Sequence, residues 1–117
     1  MNLRIIIFVL SLLIINFSSC KSQEINTKTP IKGVWITNVD SEVMYSKEGI
    51  KEAVKVCQNA GINHIFVVMW NKGRTLYPSK IMQETFKIPI EERLAGRDPL
   101  REILDEAHAK NIKVYAW

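Results

Sequence analysis

Six side chains that could bind a ligand lie at the end of an apolar run or in the loop that follows one. They supply one carboxylate, one amide, one guanidinium and three aromatic rings. Polar groups of these kinds hydrogen-bond to hydroxyls, and aromatic rings cover the apolar faces of pyranose rings. We therefore expect them to form a carbohydrate-binding site. The six residues are Asp40, Trp70, Asn71, Arg74, Tyr77 and Trp117.

Each of these residues also has a purely structural interpretation. Asp40 would close the loop in which it lies, and Asn71 and Arg74 would stabilise theirs. Tyr77 would hold a long loop in place, and the two tryptophans would pack inside the protein, because aromatic residues at strand ends serve either purpose. These alternatives stay open at the level of the sequence.

The spacing of the two histidines, His64 and His108, does not suggest a metal site, and no Cys and His pattern suggests zinc. We therefore predict no metal and no cofactor.

Alternating strand and helix patterns surround these candidates. The run Ile31–Val39 predicts a strand, and Trp35, which lies inside it, is expected in the hydrophobic core of the protein. A helix follows from the N-cap Ser46 to Gly61. The continuously apolar run Ile62–Trp70 predicts a second strand that is covered on both faces.

A long loop over 71–97 separates this second strand from the next helix. Asp98-Pro99 is a typical helix start, and the pattern predicts a helix that closes at Asn111. A third strand over 112–117 follows. The predicted order is therefore βαβαβ.

Three parallel strands fit either a barrel or an open nucleotide-binding sheet. After the first strand the chain reads DSEVMYS, without the glycines that let backbone N–H groups approach a phosphate. A barrel places its working residues at the carboxyl ends of its strands, where the six candidates lie. We predict an α/β fold that is the N-terminal βαβαβ portion of a (β/α)8 TIM barrel, truncated in the third strand.

The first twenty residues predict an export signal. Arg4 precedes an apolar stretch that is too short to span a bilayer and ends in Ser18-Ser19-Cys20. The segment resembles a bacterial lipoprotein signal, in which the cysteine is lipidated and becomes the first mature residue. We expect residues 1–20 to be such a signal, with Cys20 lipidated as the first mature residue, and ordinary cleavage of an export signal is the alternative. Residues 21–30 would be a flexible tether, and 31–117 the barrel portion. The predicted location is the bacterial cell envelope, with the protein lipid-anchored to a membrane.

The charge distribution does not favour nucleic acid. The formal net charge of the chain is +4, and the basic residues are scattered among acidic ones rather than clustered. Cys57 is the second of two cysteines and lies in the apolar stripe of a predicted helix, so we expect it to be a buried core residue.

Three segments together resemble the start of the glycosyl-hydrolase-like family 10 proteins. They are KGVWITNVDS, AGINHIFVVMWNKGRTLYPS and DPLREILDEAHAKNIKVYAW, and they span nearly all of the chain after the tether. The resemblance implies a (β/α)8 barrel that acts on the glycosidic bonds of a polysaccharide or cell-wall glycan. Glycoside hydrolysis normally requires two carboxyl groups, one that protonates the leaving oxygen and one that acts as nucleophile or base. This chain does not supply an evident pair, and the resemblance implies that the catalytic carboxylates come from strands beyond Trp117. The alternative is a lipoprotein that binds glycan without hydrolysing it. The expected partners are a carbohydrate and, through the lipid, a membrane; the sequence gives no oligomeric state.

Overall fold

The computed structural model describes residues 29–117, which form a mixed α/β domain. The strands are β1 (Gly33–Ile36), β2 (His64–Val67), β3 (Trp70–Asn71), β4 (Arg74–Thr75) and β5 (Lys113–Ala116). The helices are α1 (Lys47–Asn59), α2 (Lys80–Phe86) and α3 (Pro99–His108), with 3₁₀ turns at Val43–Tyr45 and Glu92–Leu94. The predicted signal, its Cys20 and most of the tether lie outside the described residues.

The main sheet has three parallel strands in the order β1-β2-β5. Gly33 is in register with His64, and His64 with Lys113, so the three strands begin and end together. The three predicted strands and their parallel arrangement are confirmed, although each strand is shorter than the apolar run that predicted it. These strands and the two long helices follow the predicted βαβαβ order, but β3, β4 and α2 are inserted between β2 and α3. Within residues 29–117, β1 and β5 each pair on one side, so both outer edges of this sheet are open.

Local capping signals set the limits of the two long helices. The hydroxyl of Ser46 accepts a hydrogen bond from the Gly49 N–H at 2.9 Å, and Gly61 ends the turn after α1 with a φ of 70°. Asp98 Oδ1 accepts from the Arg101 N–H at 3.1 Å, directly before Pro99 at the first helical position. Both predicted helices are therefore confirmed.

The predicted loop over 71–97 has structure of its own. Lys72 and Gly73 adopt φ values of 49° and 72°, which suit the two-residue turn of a hairpin, and this turn joins β3 to β4. Ser79 then caps α2 by accepting a hydrogen bond from the Met82 N–H. The prediction of one long loop over 71–97 was wrong because β3, β4 and α2 are too short to show a hydrophobic period. Trp70 consequently opens a hairpin, whereas the sequence suggested that it ends β2.

One face of the sheet packs against α1 and α3. Alternate strand residues point to this side, and they are buried with apolar residues of both helices. Cys57 belongs to this layer, is 7% exposed and is a free thiol, as predicted. The fully buried members from the strands and helices are Ile50, Val54, Ile65, Val67, Ile103 and Ala107.

The opposite face of the sheet carries aromatic residues that the rest of the described chain leaves uncovered. We call Trp35, Phe66, Tyr115 and Trp117 the aromatic face. Trp35 meets Phe66 edge-on with ring centroids 4.3 Å apart and stacks on Trp117 at 6.2 Å, while Phe66 stacks on Tyr115 at 5.0 Å. Trp35 is 54% exposed here, so within residues 29–117 its predicted place in a core is wrong. The helices cover the other side, and β1 points this side chain away from them.

Candidate functional site

A polar cleft of about 380 Å³ lies at the carboxyl end of the parallel strands. Its lining comes from the loop after β1, from the β3–β4 hairpin and from the segment before the second 3₁₀ turn. Three of the six predicted site residues, Asp40, Asn71 and Arg74, meet in it. The full lining is Asn38, Val39, Asp40, Tyr45, Asn71, Lys72, Arg74 and Glu91.

The loop after β1 presents Asp40 to the cleft. This residue is exposed and has a φ of 55°, a left-handed conformation that Asp tolerates better than most residues. Just before it, the hydroxyl of Thr37 donates a hydrogen bond to the Val39 carbonyl at 3.0 Å. The loop is thus turned sharply at the point where it offers a carboxylate to solvent.

The hairpin is joined to that loop by a hydrogen bond between two amides. Asn71 Nδ2 donates to Asn38 Oδ1 at 2.8 Å. Arg74 stands opposite Asn71 in the hairpin, and its guanidinium donates a weak bond to the Gly73 carbonyl at 3.3 Å. Asn71 therefore connects the hairpin to the loop after β1 and also lines the cleft. Its role in ligand binding stays a prediction.

A second connection packs against Tyr45, another residue that lines the cleft. The guanidinium of Arg93 pairs with the carboxylate of Glu42, and its central carbon lies 3.8 Å from the centroid of the Tyr45 ring. The hydrogen bond that Arg93 donates to the Glu42 carboxylate raises the pKa of Arg93 above its already high ordinary value, so this cation stays charged at every physiological pH. Nearby, Arg97 pairs with Glu102 and donates to the Met44 carbonyl at 3.4 Å. The 3₁₀ turn after α2 is thereby held against the loop after β1.

The other three predicted site residues do not line this cleft. Trp70 begins the hairpin and is 54% exposed, whereas Tyr77 is partly buried and packs against the hydrophobic core. Trp117 lies on the aromatic face, 70% exposed, and its carbonyl accepts a hydrogen bond from the Met69 N–H at 2.7 Å. Their predicted role in sugar binding stays a prediction.

Four polar lining residues were missed by the sequence analysis. Asn38 and Tyr45 lie within five residues of Asp40 along the chain, so their proximity was a usable signal. Lys72 precedes the hairpin glycine, which a search for two-residue turns would have found. Glu91 lies far along the connection, and only the folding of β4 against it brings it to the cleft.

The cleft is balanced in charge and rich in hydrogen-bonding groups. The two acidic residues Asp40 and Glu91 balance the two basic residues Lys72 and Arg74 in charge. Two amides and one phenol complete the polar lining. Such a lining suits hydroxyl groups of an uncharged ligand better than it suits a polyanion. Among residues 29–117 there is no group of three His, Cys, Asp or Glu side chains that could hold a metal ion. In the same part of the chain, no helix combines the length and the apolar character that a membrane crossing needs.

Comparison with known proteins identifies the family. The sequence profile of glycosyl hydrolase-like 10 matches residues 30–117. The chain is 34% identical over 90 residues to the glycosyl hydrolase DigH of Escherichia coli K12, and it matches the proteins of the same name from E. coli O157:H7 and Shigella flexneri equally well. These matches cover 75% of this chain but 20% of each relative. No solved structure matches the chain significantly. The chain, with its parallel sheet and its polar cleft, belongs to the glycosyl hydrolase-like 10 family.

Proposed function

We propose that this chain is the N-terminal portion of a longer, lipid-anchored glycoside hydrolase-like protein that acts on glycosidic bonds of a polysaccharide or cell-wall glycan. The observation that carries the proposal is the cleft of Asp40, Asn71 and Arg74 at the carboxyl edge of the sheet, in a chain of this family. The carboxyl edge of a parallel α/β sheet is where such folds bind their ligands. In this proposal the catalytic carboxylates come from strands after residue 117.

Two features of the sheet support a barrel in the complete protein. The strands β1, β2 and β5 are parallel and lie side by side in chain order, as the first strands of a (β/α)8 barrel do. Helices cover one face, while the aromatic face opposite them is apolar and open. In a closed barrel that face would point inward and be filled by side chains from the other strands.

The lipid anchor rests on the sequence around Cys20. A lipidated cysteine at the mature N-terminus would hold the protein at a membrane of the bacterial cell envelope, and residues 21–30 would separate the domain from that membrane. Stable anchoring takes more than one acyl chain, which a lipoprotein cysteine carries. The proposed sugar-binding site would then lie close to the cell-wall glycan.

Glycan hydrolysis tests the proposal. The full-length protein, purified from its native envelope, is incubated with purified cell-wall glycan strands and, separately, with a soluble N-acetylglucosamine oligosaccharide. New reducing ends and shortened products in the mass spectrum are the expected result. Asn71→Ala, which removes a cleft amide, should reduce the rate at low substrate concentration, and Lys80→Ala, on the exposed start of α2, should leave it unchanged.

Three outcomes are distinguishable. Cleavage that depends on Asn71 supports a hydrolase that uses this cleft. Binding of the oligosaccharide without new reducing ends supports the alternative, a glycan-binding lipoprotein. Neither binding nor cleavage with either probe would contradict both carbohydrate functions.

A further inference from the structure

The chain enters the domain at the end of the sheet that is opposite the cleft. Asn63, just before β2, holds the entering segment with both groups of its side-chain amide. Its Oδ1 accepts a hydrogen bond from the Lys32 N–H at 2.8 Å, and its Nδ2 donates to the Pro30 carbonyl at 2.9 Å. The Asn63 N–H also donates to the Lys32 carbonyl at 2.9 Å. The entering segment is therefore fixed beside the start of β2, whereas the cleft lies where the strands end.

The end of the sheet at which the chain enters is basic. We call it the entry end, and it consists of the three segments that lead into the parallel strands, 29–33, 59–64 and 108–113. These segments contain Lys32, Lys110 and Lys113 and no Asp or Glu. Lys110 pairs with Glu106 of α3 at 3.5 Å, but Lys32 and Lys113 are exposed and form no ion pair with the described residues. The entry end thus differs from the cleft, whose charges are balanced.

An exposed apolar side chain accompanies these lysines. Ile31 lies in the fixed entering segment and is 73% exposed. The ammonium group of Lys32 lies beside Gly61, in the turn after α1, so this charge also stands at the entry end. Lysines together with an exposed aliphatic side chain suit the surface of an anionic bilayer, where the ammonium groups meet lipid phosphates and the apolar group enters the interface.

The length of the tether keeps the entry end close to the proposed membrane anchor. Ten residues of chain lead from Cys20 to Pro30. Because an extended chain spans at most about 3.3–3.6 Å per residue, the two are at most about 35 Å apart. Such a short connection makes membrane contact an intramolecular event, in which a weak attraction is effective. Each lysine near an anionic surface strengthens that attraction about five-fold.

We propose that the entry end is a membrane-contacting surface, at which Lys32 and Lys113 bind the phosphate groups of an anionic bilayer and Ile31 enters its interface. The cleft, at the other end of the strands, then opens away from the membrane. This inference rests on the lipid anchor of the proposed function and adds to it the orientation of the domain. The opposite orientation would bring the cleft against the lipid headgroups.

Amine labelling of the full-length lipoprotein tests the orientation. Protein that carries its native lipid is added to preformed vesicles of mixed phosphatidylglycerol and phosphatidylcholine, or of phosphatidylcholine alone. A water-soluble acylating reagent then labels the lysines, and peptide mass spectrometry gives the rate at each one. We expect Lys32 and Lys113 to react about five-fold more slowly on the anionic vesicles, with Lys72 in the cleft and Lys80 on α2 unchanged. Salt at about 1 M shortens the Debye length to about 3 Å and should abolish this protection.

Two isoleucines provide a matched pair of variants. Ile31 is 73% exposed and Ile81, on α2, is 74% exposed, so Glu at either position should fold, which the Tm of each variant verifies. Ile31→Glu places a negative charge beside the lysines of the entry end and should abolish their protection. Ile81→Glu makes the same chemical change elsewhere and should preserve it.

The labelling rates also contain the results that would overturn the proposal. In the wild-type protein these are equal rates on the two kinds of vesicle, or protection of Lys72 and Lys80 to the same extent as Lys32 and Lys113. Protection that survives Ile31→Glu, or that Ile81→Glu removes equally, would overturn it as well. If the mass spectrum shows an unmodified Cys20, the lipid anchor fails and this inference fails with it, whereas uniform labelling of an acylated protein rejects the orientation alone.

Discussion

The substitution Trp35→Ala measures whether the aromatic face becomes a barrel interior. Replacing a buried tryptophan by alanine typically costs about 3–5 kcal/mol. In residues 29–117, Trp35 is 54% exposed, so slightly less than half of that penalty, about 1.5–2.5 kcal/mol, applies to the chain described. Closure of a barrel over the aromatic face would bury the rest of the ring and restore the full penalty.

Trp70 is the matched control for this substitution. It is the same residue type with the same exposed fraction of 54%, but it stands on the β3–β4 hairpin rather than on the aromatic face. If the hairpin stays outside the barrel, Trp70→Ala keeps its cost of about 1.5–2.5 kcal/mol in the full-length protein. The difference between the two variants is then about 1.5–2.5 kcal/mol, or roughly 3–10 °C in Tm for a barrel of about 250 residues.

Thermal unfolding followed by circular dichroism provides the assay. We expect the full-length Trp35→Ala protein to melt roughly 3–10 °C below Trp70→Ala, and Trp35→Phe to recover much of the loss because a ring remains against Phe66. Equal melting temperatures for the two alanine variants, or a larger loss for Trp70→Ala, would refute the assignment of the aromatic face to a barrel interior.

Three further predictions follow from the described residues and the N-terminal sequence. Burial raises the pKa of the Cys57 thiol, so the native protein should react slowly with a thiol reagent at about pH 8 and quickly in urea. Equal labelling rates in the native and urea-unfolded protein would contradict the burial of this thiol. Because the pKa of Cys57 is higher in the folded state than in the unfolded state, the stability that the neutral thiol contributes is present below the unfolded-state pKa and is lost as pH rises through the folded-state pKa. The isolated 117-residue chain should self-associate through its open sheet edges and aromatic face, and a sharply melting monomer in analytical ultracentrifugation would count against this. The mature protein from its native membrane should carry acyl groups on Cys20, which intact-mass and peptide mass spectrometry detect; an unmodified Cys20 would disprove the anchor.

Much of the fold could be predicted because its signals are local. Ser46 and Asp98 act as N-caps through contacts within three residues, and the apolar runs that became β1, β2 and β5 are evident in the sequence. The hairpin and α2 could not be predicted from periodicity, since strands of two residues and a helix of seven give too few repeats.

The residues of the candidate cleft that come soon after a predicted strand could be predicted, and those farther along the chain could not. Asp40 lies in the loop that directly follows β1, and Asn71 and Arg74 in the hairpin after β2, so the rule that ligands bind at carboxyl ends located them. Glu91 reaches the cleft through its bond to Thr75, a tertiary contact that no local pattern records. Trp117 satisfied the same rule but points to the aromatic face, because side chains alternate between the two faces along β5.

The most direct test of the account is a crystal structure of the full-length protein with the N-acetylglucosamine oligosaccharide bound. We predict a closed barrel whose interior contains the aromatic face, with sugar hydroxyls within hydrogen-bonding distance of Asp40, Asn71 and Arg74. A sugar bound elsewhere with this cleft empty, or a sheet whose aromatic face stays open to solvent, would contradict the account.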